Sequence, residues 1–180
     1  MTKAPIAYSH LDSPIGTLLL ARSDLGLHEI RFPHGDRPAD PDVTWTRVDR
    51  PTGDAAEQLE AYFRGDLHRF SLALAPRGTP FQKAVWALLT EIPYGRTVTY
   101  GDLAKRLGNP KAVRAVGAAN GRNPLPIVVP CHRVIGHDGT LTGYAGGLSV
   151  KAALLRLEGA AFTAPRTLEQ ASVPTLFDVH

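Results

Sequence analysis

Cysteine occurs once in this chain, at Cys131, and His132 and Arg133 follow it directly. The thiolate is the reactive form of cysteine and cationic neighbours favour it, so Pro130-Cys131-His132-Arg133-Val134 presents a candidate nucleophile in a locally electropositive setting. An isolated cysteine is more often an inert, buried apolar residue, and its surroundings must decide between the two. Glu158 is the second suggestive residue. It closes an apolar helix running through Leu154, Leu155 and Leu157, where the negative end of the helix dipole disfavours a carboxylate by roughly a few tenths of a kcal/mol. Either that terminus is exposed and frayed, or the carboxylate has a partner, and His132 is the candidate. An acid that orients an imidazole, which in turn activates a thiol, is the general cysteine–histidine–acid arrangement. Cys131 and the seven histidines show neither Cys-x-x-Cys nor His-Glu-x-x-His spacing, so no metal and no cofactor is expected.

The segments around Cys131 must position it. Asn123-Pro124-Leu125-Pro126 is held extended by its prolines, and Ile127-Val128-Val129 then reads as a buried strand that delivers the cysteine at its end. Downstream, the Asp138-Gly139 turn bends Leu141-Thr142-Gly143-Tyr144-Ala145-Gly146-Gly147 back toward the thiol, and Tyr144 is an aromatic able to stack on a base. Ser149 is expected to cap the last helix.

Upstream lie three helical patterns. Thr79-Pro80-Phe81-Gln82 is a start signal, after which Phe81, Val85, Leu88, Leu89 and Ile92 recur on one face. The stretch Thr97 to Leu107, closed by Gly108-Asn109, and a second one from Pro110 to about Asn120 make a helix-turn-helix pattern. Beyond Lys111 and Arg114 the second helix carries Ala112, Ala115, Gly117, Ala118 and Ala119, small residues that admit another helix or DNA at close range. Charge agrees with the latter: residues 79–160 carry ten basic and four acidic side chains, while residues 1–78 carry nine and eleven. A basic half on a neutral scaffold suits a polyanion-binding domain, although a solvated basic face has the same count.

The first third reads as a small α/β scaffold. Strands over Gly16–Ala21 and Leu25–Phe32 flank Ser23-Asp24, a further strand is expected at Val43-Thr44-Trp45, and a capping box at Asp54 and Glu57 opens a helix ended by Gly65. The expected organisation is a scaffold domain over 1–78, a functional domain over 79–160 and a flexible tail over 161–180. No apolar run approaches the roughly 20 residues of a membrane span and the first residues show no signal peptide, so a cytoplasmic protein is expected.

From about Phe81 to Gly159 the chain resembles the bacterial O6-alkylguanine-DNA alkyltransferases. The match takes in the helix pair, Asn123-Pro124, Pro130 to Val134, Thr142-Gly143-Tyr144-Ala145-Gly146-Gly147, and Leu154-Leu155 with Glu158. The first third matches only in length and strand content. This resemblance implies an α/β fold class: an N-terminal ribonuclease-H-like domain and a C-terminal helical domain with a winged-helix-like helix-turn-helix. It implies DNA repair by a monomer that acts once, moving the alkyl group from O6 of guanine, with O4 of thymine as a second candidate, in double-stranded DNA onto Cys131 after base flipping. In that scheme His132 is the base through a water, Glu158 the orienting acid, and Asn123 the brace of the turn. Tyr100 assists flipping and protonates the leaving guanine, Arg114 fills the vacated stack, Ala115 belongs with them to the DNA-binding and base-flipping set, and Val134, Tyr144 and Ala145 line the base pocket. Some members have a hydroxyl residue where Ala145 stands, and some bind zinc through cysteines absent here. Two rival readings are a non-catalytic binder of alkylguanine, whose relatives replace the cysteine, and a cysteine hydrolase built on Cys131, His132 and Glu158.

Overall fold

The structure is a computed structural model that describes residues 5–49 and 53–164; most of the expected C-terminal tail lies outside the described residues. The chain divides into two compact units, Met1–Arg77 and Gly78–His180.

The first unit is built on a four-stranded sheet of β1 (Ala7–Leu11), β2 (Leu18–Ser23), β3 (Gly26–Arg31) and β4 (Thr46–Arg47) in the order β3-β2-β1-β4, with β4 parallel to β1 and the other pairs antiparallel. Strand β2 is central, and its Leu18, Leu19, Leu20 and Ala21 are fully buried although alternate residues face opposite sides of the sheet. Leu19 and Ala21 join Ile6 and Ala39 on one side. The β2–β3 hairpin forms, but it turns at Asp24-Leu25, one residue beyond the expected Ser23-Asp24, whereas β1 had no sequence signal of its own. The expected strand at Val43-Thr44-Trp45 is instead a turn. The Asp42 carboxylate accepts from the Thr44 amide at 2.9 Å and the Thr44 hydroxyl at 2.7 Å, and such an Asx turn outcompetes extension. Helix α1 (Asp54–Phe63) forms, but Gly53 is its N-cap at φ 54° with no side-chain cap, so the expected capping box at Asp54 is not made.

The second unit is mostly helical. Helix α2 (Pro80–Thr90) opens on a complete capping box: Thr79 Oγ1 accepts from the Gln82 amide at 3.2 Å and Gln82 Oε1 accepts from the Thr79 amide at 2.8 Å. A second box, Thr99 with Asp102, opens α3 (Tyr100–Arg106), so the expected helix from Thr97 begins three residues later. Helix α4 (Val113–Gly121) likewise starts after Pro110-Lys111-Ala112, which form a turn with Asn109 accepting from the Ala112 amide at 2.9 Å. Helix α4 packs on both α2 and α3 and buries Val116, Ala119 and Asn120. The Trp86 indole of α2 donates to the Ala119 carbonyl at 2.9 Å and fixes that packing. Strands β5 (Val98–Thr99) and β6 (Val134–Ile135) form a two-residue parallel pair. Helix α5 (Gly147–Leu157) begins at Gly147, φ 86°, with Ser149 inside it and no side-chain cap, contrary to the expected Ser149 cap.

Candidate active site

The cysteine does not end a strand. Residues 125–129 form tight turns, and Cys131–Arg133 are a single 3₁₀ turn leading into β6. Ile-Val-Val favours extension by propensity, but side-chain and turn hydrogen bonds from within the segment override it. Asn123 makes the two decisive ones: its Nδ2 donates to the Val129 carbonyl at 2.7 Å and its Oδ1 accepts from the Leu125 amide at 3.0 Å. The Val129 amide donates to the Leu125 carbonyl at 2.8 Å, closing a compact arch in which Ile127 adopts a left-handed φ of 75°. A β-branched residue there is strained, and the surrounding arch must hold it. Asn123 therefore sits where a bracing residue was expected.

The three adjacent residues part company at the turn. Cys131 is 5% exposed and its thiol faces Asn123, Tyr144 and Lys151. Burial pushes the thiol above its ordinary pKa, while the hydrogen bonds of Asn123 and Tyr144 and the Lys151 charge pull it back. His132 and Arg133, expected to favour the thiolate directly, both point at Glu158 instead. Glu158 Oε1 accepts from His132 Nε2 at 2.7 Å and from Arg133 Nη2 at 3.0 Å. Its Oε2 accepts from Arg133 Nε at 2.8 Å and from the Gly95 amide at 3.3 Å. The side chains of His132 and Glu158 are fully enclosed. Burial alone raises a carboxyl pKa, yet the bonds from His132 and Arg133 hold Glu158 down at about 2, a firmly ionised group. His132 is held below its ordinary value, by burial first, with Arg133 and Lys151 opposing the pull of Glu158. With Nε2–H given to Glu158, Nδ1 is the basic nitrogen of a neutral imidazole, and it is buried with no protein partner among the described residues. The glutamate at the helix end thus has the partner that its placement suggested.

Two basic residues of this cluster escaped sequence reasoning in their actual roles. Arg133 serves Glu158 and donates to the Ile92 carbonyl at 2.6 Å. Lys151 is fully buried in α5, donates to the Val134 carbonyl at 2.6 Å and the Thr142 carbonyl at 3.2 Å, and has its pKa lowered to about 8 by burial. A charged residue in the apolar run Leu148 to Leu155 was the available signal for it. Lysine almost never goes fully inside without partners, and its two carbonyls tie β6 to the returning loop.

The β5–β6 pair, Val98 with Val134 and Thr99 with Ile135, brings the start of α3 beside the cysteine turn. Tyr100 is consequently held there, its hydroxyl 2.7 Å from Thr142 Oγ1. Gly117 of α4 faces the Tyr100 ring, where an added Cβ would make an ordinary contact at 3.8 Å. Ala115, Ala118 and Arg114 of the same helix are exposed. Val134 is fully buried, Tyr144 half-buried and Ala145 exposed. Thus Cys131, His132, Glu158, Asn123, Tyr100, Val134 and Tyr144 come together, while Arg114 and Ala115 lie outside the buried cluster. Among the described residues no helix is long and apolar enough to cross a membrane, and no three His, Cys, Asp or Glu side chains converge as a metal site.

Comparison with known proteins gives two family matches that cover nearly all the described chain: residues 6–76 match the 6-O-methylguanine DNA methyltransferase ribonuclease-like domain and residues 80–160 the DNA binding domain of the same family. A methylated-DNA--protein-cysteine methyltransferase of Methanosarcina acetivorans is 54% identical over 84% of this chain and 97% of its own length. One of the same name from Mycobacterium bovis is 48% identical over 91% and 98%. Among solved structures, Mycobacterium tuberculosis OGT in complex with DNA superposes with a TM-score of 0.78 at 48% identity, covering 84% of this chain and 92% of that one.

Proposed function

Because the chain belongs to the 6-O-methylguanine DNA methyltransferase family, we propose a division of labour among its buried residues in the reaction that it performs. That reaction is DNA repair by transfer of an alkyl group from O6 of guanine to a cysteine of the protein, and Cys131 is the one cysteine of the sequence. The observation that carries the assignment is the polar cluster behind the thiol: His132 bonded at 2.7 Å to a Glu158 that His132 and Arg133 hold ionised, with the basic Nδ1 of His132 left to receive a proton.

The sulfur–carbon bond forms as the carbon–O6 bond breaks, and two protons move. The thiol proton passes to His132 Nδ1 through a water, the imidazolium being stabilised by Glu158. The departing guanine takes a proton from Tyr100. A base inside a duplex is out of reach of a buried thiol, so the guanine is turned out of the stack, with Arg114 and Ala115 on exposed α4 entering the space it leaves. Helices α3 and α4 act as the helix-turn-helix, and their basic residues supply the phosphate contacts that steer the protein to double-stranded DNA. Val134, Tyr144 and Ala145 line the receiving pocket, and the exposed Ala145 brings no hydroxyl to the base. The thioether product cannot be reversed by thiol exchange, so each molecule acts once. No metal or cofactor enters this scheme, and the cytoplasm is the compartment proposed for the reaction.

Incubation with duplex DNA carrying O6-methylguanine, followed by peptide mass mapping, is expected to find one added methyl on Cys131 per guanine restored. Complete repair with Cys131 unmodified refutes the assignment.

A further inference from the structure

Two polar groups converge on the Tyr100 hydroxyl that the division of labour leaves without a task. Thr142 Oγ1 lies 2.7 Å from it, across 42 residues of sequence. Asn120, the last residue but one of α4, is 4% exposed and directs its amide at the same hydroxyl, a contact that lowers the Tyr100 pKa. The Asn120 Oδ1 is buried with no hydrogen-bond partner among the described residues. An orphaned buried amide oxygen costs about 1–3 kcal/mol, a cost that the bond of the amide NH₂ to the Tyr100 oxygen must offset.

We propose that Thr142 and Asn120 are positioning residues for Tyr100, fixing the direction of its hydroxyl and taking up the charge left on its oxygen when the proton goes to the leaving guanine. The proposal rests on the assignment of Tyr100 as proton donor. A tyrosine hydroxyl has a single proton. In the resting site the Tyr100 and Thr142 hydroxyls share one hydrogen bond, in which either oxygen can be the donor, and the Asn120 NH₂ is directed at the tyrosine oxygen. Once the proton has gone to guanine, the Thr142 hydroxyl donates to a phenolate and the Asn120 NH₂ stays on the same oxygen. Bonds to a charged oxygen are roughly twice as strong as neutral ones, so both groups favour the state after transfer over the state before it. The ionisation behaviour of Tyr100 agrees: burial and the neighbouring Cys131 raise its pKa, and Thr142 and Asn120 lower it. Lys151 anchors the arrangement by holding the Thr142 carbonyl at 3.2 Å.

The test uses single-turnover transfer from O6-methylguanine in duplex DNA with protein in excess. Thr142→Val removes the hydroxyl at nearly constant shape and is expected to slow transfer about tenfold, the worth of one hydrogen bond to the reacting group. Thr142→Ser is expected to restore the rate, and Asn120→Leu to slow it by a similar factor. DNA affinity should not change in any of the three. Alkylation of Cys131 by iodoacetamide releases iodide and needs no proton donor, so its rate should also stay at the wild-type value. An iodoacetamide rate that falls as far as the transfer rate overturns the proposal, because the damage would then lie at the thiol. Tyr100→Phe separates the two levels. If it is slow while Thr142→Val is normal, the positioning role is refuted and the Tyr100 assignment survives; if Tyr100→Phe itself transfers at the wild-type rate, both fall.

Discussion

Glu158→Gln removes one charge from a carboxylate that accepts four hydrogen bonds, from His132 Nε2, Arg133 Nε, Arg133 Nη2 and the Gly95 amide. The amide keeps the shape but turns a donor toward a donor and leaves the buried Arg133 charge without its counter-ion. Holding the Glu158 pKa at about 2 instead of the ordinary 4.5 corresponds to about 3 kcal/mol of folded-state stabilisation at neutral pH. Breaking a buried pair by removing one partner costs about the same, roughly 3–5 kcal/mol. The variant is therefore expected to be less stable by about 3 kcal/mol at pH 7, a drop in Tm of roughly 6–12 °C. The chain has two tryptophans, Trp45 in the first unit and Trp86 in the second, so urea unfolding in a Trp45→Phe background lets Trp86 report on the unit that holds Glu158. The pH dependence is sharper still. A depressed carboxyl pKa contributes stability that is fully present above about pH 4.5 and lost as pH falls through about 2, so the wild-type margin over the variant should shrink across that window. A variant within about 1 kcal/mol of wild type at pH 7, or a margin undiminished at pH 2, refutes the account of this ion cluster.

The opposite limb tests Lys151. Its pKa, lowered from 10.5 to about 8, means that the folded chain sheds the proton while the unfolded chain keeps it, so the Lys151 contribution becomes more favourable as pH rises from about 8 to 10.5. The stability difference between wild type and Lys151→Met, measured by urea titration, should accordingly move by about 3 kcal/mol in favour of wild type over that range, and a constant difference contradicts the burial of a charged lysine. Gly95→Ala places a Cβ 2.8 Å from the Glu158 carbonyl oxygen at a residue with φ 73°. A loss of about 1–3 kcal/mol in thermal unfolding is expected, together with slower transfer from the displaced Glu158, and neutrality in both would show that the Gly95–Glu158 contact is dispensable.

Local chemistry could be read from the sequence wherever neighbours a few residues apart decide the outcome. The Thr79 capping box, the β2–β3 hairpin, the Asp138-Gly139 turn and the lone cysteine followed by histidine all belong to this class, because their hydrogen bonds or turns close within the segment itself. The pairing of His132 with Glu158 was also legible, since a carboxylate at a helix C-terminus is unfavourable unless something compensates it. The same local logic failed where a nearby polar group takes the backbone hydrogen bonds against strand propensity. Ile127-Val128-Val129 has strand propensity, but the Asn123 side chain and the Leu125 carbonyl take the hydrogen bonds a strand would need, and the cysteine sits on a turn. Asp42 does the same to Val43-Thr44-Trp45. The electrostatics depended most on the tertiary structure. Adjacency in sequence put His132 and Arg133 beside the thiol, yet the 3₁₀ turn sends both to Glu158, 26 and 25 residues away, and the cation that faces the sulfur is Lys151 from α5. Buried charges are costly unless paired, so their partners are chosen by what the packed core encloses together, and propensity along the chain carries no record of that choice.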